Sequence, residues 1–86
     1  MAKLPVVSGA DLVKALQQHG FVVLRQQGSH IVVQKRDAQG VITTVVPAHK
    51  EVAKGTLHAI LRKARLSPDD LIRVLTVVLG ILPLLK

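Results

Sequence analysis

The sequence predicts an α+β domain in αβββα order: a three-stranded antiparallel sheet with helices on one face. Three observations predict it. Apolar residues recur at helical spacing near both ends, three runs rich in β-branched residues fill the middle, and turn-forming residues separate those runs at hairpin distances. The 86 residues are expected to form a single domain, 1–86, with a thin core, because so small a domain buries only about 60% of its unfolded surface.

Ser8 followed three residues later by Asp11 is a capping-box-like start, and Leu12, Val13 and Leu16 then fall at helical spacing. Gly20 supplies a left-handed stop, which gives a first helix over 10–19. Strands follow over 21–26, 30–35 and 41–46, joined by Gln27-Gly28-Ser29 and by Asp37-Ala38-Gln39-Gly40. Connections this short make an antiparallel meander. Pro47 has no N–H to give a ladder and closes the third strand. Thr56 is the expected cap of a second helix, in which Leu57, Ile60, Leu61 and Ala64 repeat on one face and His58, Arg62, Lys63 and Arg65 lie on the other. Ser67-Pro68-Asp69-Asp70 is a further start signal, with Ser as cap, Pro at the first position and acids in the first turn. The third helix runs from there into an apolar tail, 74–86. Helices laid on one face of the sheet complete the α+β class.

Composition narrows function. Hydrophobic residues are 49% of the chain but Phe21 is the single aromatic, which excludes aromatic base-stacking platforms. Twelve Lys and Arg against five acids give a net charge of +7, the balance of a protein that meets phosphate backbones; the competing reading is solubility charge. The absence of cysteine removes thiolate chemistry and fits a reducing cytoplasm, and residues 1–5 carry no apolar run of signal-peptide length. No membrane span is expected, since the 12 uncharged residues 74–85 fall short of the roughly 20 that cross a bilayer. That tail either packs on its own domain or pairs two chains as a homo-oligomer. Asp11, Asp37, Glu51, Asp69 and Asp70 sit apart at caps and turns, and the four histidines lack ligand spacing, so neither a metal site nor a cofactor is expected.

Three motifs stand out in order: Arg25-Gln26-Gln27-Gly28-Ser29-His30 at a hairpin turn, Val46-Pro47-Ala48-His49 at a strand end, and Lys54-Gly55-Thr56-Leu57 opening a helix. With Gly20-Phe21 before them and Ile60-Leu61 after, they resemble the HicA-type mRNA interferase toxins of type II toxin–antitoxin systems over residues 8–72. The resemblance implies a double-stranded-RNA-binding-domain-like fold, ribosome-independent mRNA cleavage, one catalytic histidine in the Gly-Ser-His element and neutralisation by a HicB-type antitoxin. Carried across, it makes Gly28, Ser29 and His30 the site. The apolar tail departs from the family pattern and leaves the oligomeric state open.

The residues support this independently. Cleaving a phosphodiester without metal needs a group that takes or gives a proton near neutral pH, and imidazole does. Gly28 permits a positive-φ turn and leaves backbone bare for a phosphate, to which Ser29 can offer a hydroxyl or an amide. His30, Val32 and Gln34 share one sheet face, so His30 faces solvent if Ile31 and Val33 meet the helices. His49 is a candidate second acid–base group, against a plain loop role. Lys54, at the start of a helix, is the foremost phosphate contact, with Lys50, Arg25 and Lys35 as further RNA-binding candidates. Two other readings compete: a non-catalytic RNA-binding module using the same basic face, and a partner-binding protein built around the tail.

Overall fold

The computed structural model describes residues 4–80 and has the expected order and class. Helix α1 spans Gly9–Gln18, and the Ser8 hydroxyl accepts the Asp11 N–H at 3.0 Å to start it. At its other end the Phe21 N–H donates to Leu16 O and the Gly20 N–H to Gln17 O, each at 3.1 Å. This is a Schellman closure with Gly20 at φ 93, and it delivers Phe21 into the core.

Strands β1 (Val22–Gln27), β2 (His30–Asp37) and β3 (Gly40–Pro47) form one antiparallel sheet in the order β1-β2-β3. Ile31 pairs with Val46 and Val33 with Thr44, and these four side chains are buried on the helix side. The other face is largely open, with Val22, Val41 and Val45 exposed and Val32, in the central strand, buried beneath its neighbours. A bulge between Val23 and Arg25 interrupts the β1 ladder.

The end of β3 lies against the start of α1. A Cβ on Gly9 would run into the Pro47 carbonyl, so only glycine fits there. The Gly9 N–H donates to His49 O and the Val52 N–H to Val7 O, both at 2.9 Å. These bonds fasten the loop after β3 to the chain entering α1.

Helix α2 spans Lys54–Ala64 and corrects the expected cap. Thr56 lies inside the first turn, while Ala53 precedes the helix and makes no side-chain cap bond. Val52, buried and tied to Val7, fixes where the chain turns helical, and that tertiary anchor overrides the local capping preference. Leu57, Ile60, Leu61 and Ala64 are buried as the spacing predicts. Arg65 ends α2 at φ 61, and its guanidinium donates to Gln39 Oε1 at 3.2 Å.

Helix α3 spans Pro68–Arg73 under a full capping box: Asp70 N–H to Ser67 Oγ at 3.1 Å and Ser67 N–H to Asp70 Oδ2 at 3.0 Å. The Ser67 backbone bond, seconded by its hydroxyl, holds the Asp70 carboxyl below the usual aspartate range. The chain then widens into a π-helical turn, Val74–Val78, closed by Leu79 N–H to Val74 O at 2.9 Å. Val74 and Leu75 are 5% and 1% exposed and belong to the core, so the tail cannot be separated from the domain at residue 74. Val77, 75% exposed, faces outward. The rest of the expected tail, 81–86, lies outside the described residues.

Gly9→Ala is expected to cost about 1–3 kcal/mol, the range for overpacking, because its obstacle is backbone rather than a movable side chain. Chemical denaturation checks this; an unchanged midpoint would show that α1 and β3 can separate freely.

Candidate functional site

At one end of the sheet β1 stops, β2 begins and β3 finishes. Gln27 pairs with His30 across the two-residue turn Gly28-Ser29, and His30 pairs with Pro47 on its other side. Gly28 has φ 56 and Ser29 does not have a positive φ, the pattern of a type II′ turn. The turn is braced twice: the Ala48 N–H donates to Ser29 O at 2.7 Å, and Gln26 Nε2 donates to Gly28 O at 3.2 Å. Nothing lies within 4 Å of where a Gly28 Cβ would be, so its backbone is open to a ligand.

His30 is exposed and Ile31 buried, so the imidazole stands on the open face next to a rigid hairpin. Arg25 pairs with Val32, placing it on the same face two residues further along. Such an arrangement puts a proton-transfer group and a cation where an extended phosphate backbone can reach both.

On the helix side of the same sheet end is a cavity of about 350 Å³ lined by Ser8, Ala10, Gln26, Ile31, Ala48, His49 and Lys50. His49 and Lys50 thus share the end of the molecule with His30 but lie toward the cavity, which His30 does not line. Lys54 is exposed at the first position of α2. Lys35 sits apart, five residues up β2 from His30 and so about 16 Å away at 3.3 Å per residue. Its stem runs over Gly20.

Gly9, Ala10, Gln26 and Ala48 are parts of this region that no sequence signal assigns to it. Gln26 and Ala48 stood inside the quoted motifs; Gly9 and Ala10 carried no signal beyond their place after a capping serine. Among the described residues no three of His, Asp or Glu come together in a way that would hold a metal ion. No helix among them is long and apolar enough to cross a membrane.

The family model for HicA toxins of bacterial toxin–antitoxin systems matches residues 9–66. The chain belongs to the HicA toxin family. Comparison with curated proteins returns no match. The matched span begins at Gly9, the first residue of α1, and ends just beyond α2, so it holds the hairpin, the loop after β3 and the cavity wall apart from Ser8. Membership makes this HicA chain the toxin of a toxin–antitoxin system and implies an antitoxin as its partner.

Gly28→Ala in this HicA toxin is expected to lose about 1–2 kcal/mol, because φ 56 is a left-handed conformation that a Cβ penalises, whereas Gly28→Asn should lose less. Thermal melts of the pair check it. Equal losses would mean that space, not φ, reserves the position for glycine.

Proposed function

We propose that the chain is an endoribonuclease that cleaves mRNA without a metal ion, with His30 as its acid–base group. The observation that carries this reading is the exposed His30 imidazole beside a braced Gly28-Ser29 turn whose backbone is open. The element order and one-sided helix packing are consistent with a double-stranded-RNA-binding-domain-like fold. Family membership supports a HicB-type antitoxin as the protein that silences the site. An mRNA substrate places the activity in the cytoplasm. Exposed Val77 and Val78 are the surface through which the tail would pair two chains.

The chemistry needs little apparatus. Neutral imidazole takes the proton of a ribose 2′-OH as that oxygen bonds to the adjacent phosphorus. The bond from phosphorus to the 5′-oxygen breaks, and that oxygen leaves with a proton from water or from a second acid, for which His49 is the candidate. The products are a 2′,3′-cyclic phosphate and a 5′-hydroxyl. Ser29 and the Gly28 backbone face the non-bridging oxygens, where negative charge builds up in the transition state. Arg25, Lys50 and Lys54 contact neighbouring phosphates, which fixes register without reading sequence.

His30→Ala is expected to lower RNA cleavage at least 10²-fold, the lower end of what general acid–base catalysis supplies, with an unchanged circular dichroism spectrum and unchanged RNA binding. EDTA should not affect the wild-type rate. Wild-type cleavage by the folded alanine variant would remove His30 from the mechanism, and RNA bound but left intact by the wild type would favour the binding-module reading.

Lys54→Ala is expected to flatten the log–log salt dependence of single-strand RNA binding by about 0.7, the release of one phosphate's counterions. Affinities measured between 50 and 200 mM salt by fluorescence anisotropy check it. An unaltered slope would place Lys54 away from the RNA.

A further inference from the structure

We propose that the cavity behind the Gly28-Ser29 turn seats the base of an unpaired ribonucleotide adjoining the scissile phosphate, and so sets where the RNA is cut. The assignment deepens the endoribonuclease reading and rests on it for the position of the cut.

Size comes first. About 350 Å³ lies within the 300–1,000 Å³ range of small-molecule sites, toward its lower end, which suits one nucleoside and not a helix or a strand. Chemistry comes second. Ile31, Ala10 and Ala48 supply an apolar wall against which the flat face of an unpaired base can lie. Gln26 supplies a base-reading edge: one amide N–H is committed to Gly28 O, which orients the group, and an amide retains a second N–H and a carbonyl oxygen. Glutamine amides pair with base edges in this two-point manner. Lys50 adds the positive charge that an attached phosphate requires.

Placement comes third. Ile31 lines the cavity and its neighbour His30 stands on the opposite face, their Cα atoms one peptide apart at about 3.8 Å. In this proposal the RNA backbone crosses the sheet end at Gly28, with the base in the cavity and the phosphate at His30 on adjoining nucleotides. The open space around Gly28 leaves room for that crossing. The lack of Trp and Tyr, which excludes an exposed stacking platform, is compatible with this arrangement, because the apolar walls of the open cleft supply the contact that a flat aromatic surface supplies elsewhere.

The test fills the cavity from the first turn of α1, where Ala10 is exposed and Met is a good helix former. Ala10→Met is expected to lower kcat/KM on single-stranded RNA at least tenfold. An oligonucleotide with an abasic ribose beside the cut should be cleaved equally by both proteins. Equal kcat/KM on intact RNA would overturn the proposal. Should Ala10→Met fail to fold, Ala48→Leu closes the cavity from its other wall and is judged by the same criteria. A second arm needs no catalysis: a nucleoside 3′-monophosphate titrated into the His30→Ala protein is expected to shift the amide signals of Ala10, Ile31 and Ala48, and to lose those shifts when Ala10→Met is added. No shift at these positions would overturn the base site even if cleavage depends on His30. Shifts there, with cleavage that ignores His30, would keep the base site and reject the catalytic assignment.

Discussion

The close crossing of α1 over the end of β3 is the constraint on which the rest of this small structure depends. Gly9 has no side chain, so the first turn of the helix sits on the Pro47 carbonyl, and the Gly9 and Val52 N–H groups can reach across to His49 and Val7. With that loop held, Ala48 is in place to bond Ser29, and the Gly28-Ser29 hairpin acquires a support that its own two residues cannot provide. One absent methyl group thus governs the entry to α2, the wall of the cavity and the rigidity of the turn before His30.

The core is built almost wholly from aliphatic side chains, and it recruits help from beyond the family-matched span. Leu71, Val74 and Leu75 are buried with α1 and the inner face of the sheet, although they follow residue 66. A chain of this length has little apolar surface to bury, and a π-helical turn brings the added residues inward. What the family model leaves out is therefore part of the hydrophobic structure and not an appendage to it.

Local signals were the legible ones. Ser8 with Asp11, and Ser67 with Asp70, are caps whose donors and acceptors lie within four residues, and Gly28 in a two-residue turn follows from φ alone. His30 could be assigned to the open face because strand alternation places Ile31 and Val33 inside. The start of α2 was misread because a distant bond from Val52 to Val7 decides it, and the cavity was invisible because its walls come from four separate stretches of chain. The π-helical turn could not be read either, since Val74 and Leu75 reveal their place only through what they pack against. Charge alone made Lys35 an RNA-binding candidate, and the length of β2 sets it well apart from His30.

The bulge in β1 has a meaning for how a partner can hold this toxin. An edge strand with a continuous ladder invites another strand to extend the sheet, in its own fold or in an aggregate. Here the extra residue between Val23 and Arg25 breaks the hydrogen-bond spacing midway along β1. A foreign strand could match the backbone on one side of the break but not both. Any strand added at this edge would have a short run of backbone bonds on one side of the break, and side chains would have to supply the rest of the contact, which favours discrimination over indiscriminate sheet extension.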